Sequence, residues 1–168
     1  GRRDIPVAAG ADGARHSLRS PVVFPDEAAY WPEPVAPSPG PEDEAFALMR
    51  RGIEAGATVV AVGPYTNLAL LDLAFPGLLA GVPLTLMGGH VRPIPPGYPA
   101  WHNRDDWNVQ EDVGAARHVF ERLRPTVVPL EVTVRTALRR ADLPALESAG
   151  PLGRLLARQA RAFAVEYK

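Results

Sequence analysis

Cysteine is absent from the 168-residue sequence, and lysine occurs only once, as Lys168. The first absence excludes disulfide staples and thiolate nucleophiles, and leaves the redox compartment open. The second makes arginine the carrier of nearly all positive charge, which reads as compositional bias rather than a site. An excess of either charge is missing as well. Lys plus Arg number 18 against 19 Asp plus Glu, a formal net charge of -1, so nothing in bulk favours nucleic acid. No apolar run approaches the roughly 20 residues of a membrane span. The first residues also lack the basic-then-apolar pattern of a signal peptide. A cytoplasmic protein with neither membrane nor nucleic-acid partners is the resulting expectation. Neither Gly63 nor Gly88-Gly89 belongs to a G-x-G-x-x-G turn, and no glycine-rich loop carries the lysine of a phosphate loop, so nucleotide-cofactor readings fall away.

What is present is ordinary in bulk and ordered in detail. A hydrophobic fraction of 46% in a chain of this length suits one globular domain with a real core. Thr58-Val59-Val60-Ala61-Val62 is a short β-branched run suited to a strand buried on both faces. Gly63-Pro64 punctuates it, and Asn67 to Leu73 reads as the start of a helix spanning about 66–74. The same pattern recurs where Val82 to Met87 meets Gly88-Gly89, and where Pro125 to Val132 meets Thr133. Glu42-Asp43-Glu44 opens a helix over 42–55, its acids suiting the positive amino end. Ala45, Leu48, Met49 and Ile53 recur there at helical spacing, with Gly56 as the stop.

These elements predict an α/β, Rossmann-like fold with a parallel-rich central sheet flanked by helices, built as one domain over 1–168. Strands are expected at 58–62, 83–87 and 126–131, and a further short one at Asp4 to Gly10. A helix capped by Asp112 and an amphipathic helix over Leu152 to Phe163 complete the pattern, the latter with Leu152, Leu155, Leu156, Gln159 and Phe163 on one side. Residues 11–41 show no periodicity, which fits a lid, a covering arm or a loop. In parallel sheets, ligands bind at the carboxyl ends of strands. The neighbourhoods of Val62, Met87 and Thr133 should therefore share one edge.

The segment 88–110 follows directly on a strand end and gathers polar, aromatic and glycine residues, the anatomy of a binding loop. Asn108 within it reads either as a ligand contact or as an Asx-type turn before a helix. Asp106 reads as a site acid or a solvated loop acid, and Met87 as a pocket wall or core filler. Trp101 and Trp107 fit stacking on a ligand or anchoring of the loop. Asn67 reads as bonding backbone to fix the 63–67 turn, with a ligand contact as the alternative. His90 and His102 match no standard zinc spacing, and His118, within a helix, reads as surface or core.

Taken together, Pro6-Val7-Ala8-Ala9-Gly10, Val62-Gly63-Pro64-Tyr65-Thr66-Asn67-Leu68-Ala69, Leu86-Met87-Gly88-Gly89, Asp106-Trp107-Asn108-Val109, Asp112-Val113-Gly114-Ala115-Ala116 and Pro129-Leu130-Glu131-Val132-Thr133 resemble the inosine–uridine-preferring nucleoside hydrolase family. Their order and spacing carry the resemblance over nearly the whole chain. It implies an enzyme that cleaves the N-glycosidic bond of ribonucleosides with water activated by calcium, in a homo-oligomer. It further implies that the Val62 carbonyl ligates calcium and that Met87 lines the ribose pocket. Asp106, Trp107 and Asn108 would stand at the acid, aromatic and amide of the sugar site, with Asn103 as an earlier sugar contact in the same loop.

The family's amino-terminal aspartate motif and its carboxyl-terminal histidine–aspartate pair have no counterpart in this sequence. The expectation is therefore the central portion of a nucleoside hydrolase domain, carrying no catalytic residue of its own and completed by polypeptide that supplies carboxylates, either a companion chain or further sequence of the same protein. A second expectation, from a different class, is a catalytically inactive family member serving as a ribose-binding or protein-interaction module.

Overall fold

The computed structural model describes residues 4–11, 13, 27–33 and 42–166. Most of the non-periodic segment 11–41, including His16, lies outside the described residues, and so does the expectation of a lid there. The chain forms two compact units, one comprising Gly1–Ser20 with Ser38–Arg135 and the other Pro21–Pro37 with Thr136–Lys168.

The larger unit is the α/β part. Its described elements run α2 (Glu42–Glu54), β1 (Val59–Ala61), α3 (Thr66–Ala74), β2 (Leu84–Met87), α4 (Trp107–Glu111), α5 (Val113–Arg122), β3 (Thr126–Val128) and α6 (Leu130–Thr133); α1 (Glu27–Tyr30) belongs to the smaller unit. The three strands form one parallel sheet in the order β1-β2-β3. Val59 pairs with Leu84 and Ala61 with Leu86, while Met87 pairs with Val128. All three strands thus end at one edge, as their glycine and proline exits imply.

Side-chain alternation divides the sheet into two unlike faces. Leu84 and Leu86 are buried on the face that also carries Val59 and Ala61, packed with Leu68, Leu71 and Val119 of α3 and α5. On the opposite face Val60 is 63% exposed among the described residues, although a parallel strand is ordinarily covered on both sides. Buried Asp72 of α3 fastens the covering layer, accepting from Arg122 Nε at 3.1 Å and pairing with His118 Nε2 at 2.8 Å. His118 is thereby a half-buried link between α3 and α5 rather than simple surface.

Several expectations need correction. Residues 4–11 carry no strand. The strand expected at 126–131 stops at Val128 because Pro129 has no N–H for the ladder, and Leu130 N turns to donate to Gly89 O at 2.8 Å. Val134 N then donates to Leu130 O at 2.9 Å, so the residues expected to extend the strand wind into α6 instead. Asn67 does bond backbone, but from a remote segment: its Oδ1 accepts from Ala11 N at 2.8 Å.

The smaller unit holds α1, α7 (Leu143–Ser148) and α8 (Pro151–Glu166). The expected apolar stripe of α8 is largely uncovered, with Leu152, Leu156 and Phe163 exposed, whereas Gly153 and Ala157 are its buried positions. Gly153 is required there because a Cβ would collide with the Leu146 carbonyl of α7. Arg158 Nε donates to the Ala29 carbonyl of α1 at 3.0 Å. Leu156 and Phe163 line an apolar cavity of about 910 Å³ together with Trp31 and Leu138.

Candidate functional site

At the carboxyl edge of the sheet, β2 ends in Met87 and the chain passes through Gly88 and Gly89, with φ of 145° and 89°. Both angles favour glycine. Gly88 has a second reason to lack a side chain, since a Cβ there would run into the Tyr65 hydroxyl and approach Asp106. The turn brings the chain into the loop 88–106, which returns through the 3-10 turn Asn103–Asp105 to α4.

Asp106 is the residue that closes this loop on itself. The residue is 2% exposed. One carboxylate oxygen accepts from Val109 N at 3.1 Å, capping α4, and the other accepts from Gly89 N. The reading of Asp106 as a solvated loop acid is thus excluded. Asn108, 8% exposed, sends Nδ2 to the Met87 carbonyl at 2.8 Å. A carbonyl can only accept, so this bond fixes which way the carboxamide faces and leaves Oδ1 as its acceptor. The same carbonyl accepts from Tyr65 Oη at 2.9 Å.

Tyr65 is fully buried, with its ring edge-on to Phe120 at 5.8 Å. Burial, and after it the nearby Asp106 charge, pushes its phenol above the ordinary tyrosine range. At the neighbouring strand end, buried Glu131 accepts from Arg92 N at 3.1 Å and Val91 N at 3.4 Å. It ties the start of the loop to α6. Sequence reasoning assigned no site role to Tyr65, Gly88 or Glu131, whose hydrogen-bond partners at the site lie between 22 and 40 positions away.

Of the residues singled out from sequence, Met87, Asp106 and Asn108 converge within this bonded cluster. Trp107, the first residue of α4, lies beside them in the chain and is 36% exposed. Asn103 sits in the exposed 3-10 turn, where its carbonyl accepts from Gln110 Nε2 at 3.1 Å. Val62 follows β1 at the same sheet edge and is 70% exposed. Asp112 is fully buried, caps α5 through Ala115 N at 2.9 Å and accepts from Thr66 Oγ1 at 2.8 Å. Asp105 accepts from His102 N at 2.7 Å.

Calcium takes six to eight oxygen ligands. Val62 would bring one carbonyl, and no cluster of three or more acidic or histidine side chains among the described residues is placed to join it. The described residues therefore do not by themselves compose a calcium shell.

The family model for inosine-uridine preferring nucleoside hydrolases matches residues 1–168. A pyrimidine-specific ribonucleoside hydrolase RihA from Salmonella agona is 30% identical over 93% of this chain and 51% of its own length. The RihA of Klebsiella pneumoniae is 31% identical over 89% and 49% respectively. The chain thus spans about half the length of the curated relatives it matches. Among solved structures, a purine-preferring ribonucleoside hydrolase from Gardnerella vaginalis superposes with a TM-score of 0.72 at 22% identity, over 98% of this chain and 56% of the other. A plant nucleoside hydrolase, the PpNRh1 enzyme, gives 0.71 at 23% identity, over 98% and 54%. At that identity the superpositions establish the α/β fold.

Proposed function

This chain belongs to the inosine-uridine preferring nucleoside hydrolase family, and on that premise we propose that it forms the sugar-binding part of an enzyme hydrolysing ribonucleosides. In the reaction the C1′–N bond breaks, water oxygen bonds to C1′ and a proton passes to the departing base. The observation that carries the reading is the cluster at the end of β2, where Asp106 and Asn108 are held rigidly with acceptor oxygens. Acceptors suit the hydroxyl hydrogens of ribose. Because the cluster is bonded to its own loop backbone, little reorganisation is needed as the sugar becomes oxocarbenium-like.

In this proposal Met87 walls the ribose pocket, Trp107 offers an aromatic face, and Asn103 reaches the sugar from the loop. Calcium, when bound, would activate water and stabilise charge; the Val62 carbonyl contributes one ligand, and carboxylates from further polypeptide supply the rest. Homo-oligomeric assembly and a cytoplasmic setting belong to the same proposal. A second reading, a ribose-binding or protein-interaction module without turnover, is favoured by the helix-capping bonds of Asp106 and Asp112, which give both acids a structural role.

Reducing-sugar release from inosine and uridine, with calcium added or chelated, separates the two readings. Residues 1–168 alone are expected to bind calcium weakly and release no ribose, and residues 1–168 completed by polypeptide supplying the further carboxylates are expected to turn over both nucleosides. Absence of turnover in the completed enzyme would favour the binding module. Micromolar calcium affinity and turnover by residues 1–168 would overturn the need for further carboxylates.

A further inference from the structure

The Met87 carbonyl accepts two side-chain donors, Asn108 Nδ2 at 2.8 Å and Tyr65 Oη at 2.9 Å. The donors arrive from different elements, since Asn108 lies in α4 and Tyr65 immediately precedes α3. The next residue, Gly88, adopts φ of 145°, and a Cβ there would occupy the space of the Tyr65 hydroxyl. The residue after that, Gly89, donates its N–H to Asp106. One phenol therefore stands behind the short backbone stretch to which both Asp106 and Asn108 are fastened.

We propose that Tyr65 is a positioning residue of the sugar site, its hydroxyl holding the Met87–Gly88 peptide in the orientation that presents Asn108 Oδ1 and the Asp106 carboxylate to the ligand. The proposal rests on the nucleoside reading for its ligand, but the geometry it concerns is independent of turnover. A fully buried hydroxyl needs a partner, and the only role of a tyrosine in a merely apolar core would be its ring. Phenylalanine would fill that volume and still meet Phe120 edge-on. The hydroxyl is thus the part of Tyr65 that packing alone does not account for.

The test compares Tyr65→Phe with Phe120→Leu, which disturbs the ring contact and keeps the hydroxyl. In the completed enzyme, Tyr65→Phe should lower kcat/KM for inosine and uridine alike by about tenfold, the scale of a slightly misplaced contact. In an Asn108→Ala background the same change should cost less than about twofold, because the two residues act as a unit. Phe120→Leu should lower the melting temperature without that coupling. Equal effects of Tyr65→Phe in both backgrounds, or effects matching Phe120→Leu, would overturn the proposal.

Should no nucleoside be hydrolysed, the nucleoside reading fails and the positioning claim is still decided by NMR. The Asn108 side-chain amide pair, assigned by its loss in Asn108→Ala, should exchange with solvent at least about fivefold faster in Tyr65→Phe. An unchanged pair would overturn the claim. If Tyr65→Phe does not fold, Gly88→Ala presses on the same hydroxyl. That variant should speed exchange of the Asn108 amide in the same way, and an unchanged amide would overturn the claim equally.

Discussion

Asp105 and Asp106 are chemically identical neighbours in opposite situations, and replacing each by asparagine separates them. Asp106 is 2% exposed and accepts backbone N–H groups from Gly89 and Val109. Hydrogen bonds to a charged acceptor contribute about 1.5–3 kcal/mol each. In Asp106→Asn one donor keeps a neutral oxygen while the other faces an NH2 group that can only donate. Losing one charged bond outright and weakening the second should cost about 3 kcal/mol. Asp105 is exposed and accepts from His102 N within its own 3-10 turn. Water replaces that bond readily, and Asp105→Asn should cost less than about 1 kcal/mol. The assay is urea unfolding followed by tryptophan fluorescence, with Trp107 adjoining the site, and a midpoint shift at constant slope as the readout. Equal midpoints for the two variants, or an Asp106→Asn loss below about 0.5 kcal/mol, would refute the view that Asp106 closes the loop.

Leu86 is fully buried beneath α3 and α5, so Leu86→Ala should cost about 2–5 kcal/mol by calorimetry or urea melting. Spectrophotometric titration of the four tyrosines should show one ionising only above the ordinary range, and Tyr65→Phe should remove it. The sign follows from linkage. The unfolded phenol ionises near pH 10 and the folded one later, so the stability contribution is intact below about pH 10 and declines as pH rises beyond it. Glu131→Ala should leave Val91 and Arg92 N–H groups without their acceptor, and speed proteolysis within 88–106; a cleavage rate equal to wild type would count against Glu131 as the tie of the loop.

Much of the frame was legible because its signals are local. The glycines after β2 and after α2, the acid at the start of α5 and the β-branched run of β1 each announce an element within a few residues. β3 was overextended because Leu130-Glu131-Val132 has strand composition, and only the tertiary bond from Leu130 N to the Gly89 carbonyl turns it into α6. The stripe on α8 was visible by period, yet period does not say what covers it, and its small residues Gly153 and Ala157 proved the buried ones. Asp106 and Asn108 stood out as candidates from their loop and from family resemblance. Tyr65 did not, because an apolar-looking turn position gives no sign that its hydroxyl meets the Met87 carbonyl 22 residues later.

The central claim is that the Asp106–Asn108 cluster grips ribose, the part common to purine and pyrimidine nucleosides. Its most direct measurement is kcat/KM for inosine and for uridine in the completed enzyme carrying Asn108→Ala. Loss of a preorganised polar contact to the flattening sugar should cost about 2–4 kcal/mol in transition-state stabilisation, and equally for both substrates because the base is not involved. Values within about twofold of wild type on both nucleosides, or a loss confined to one of them, would contradict the account.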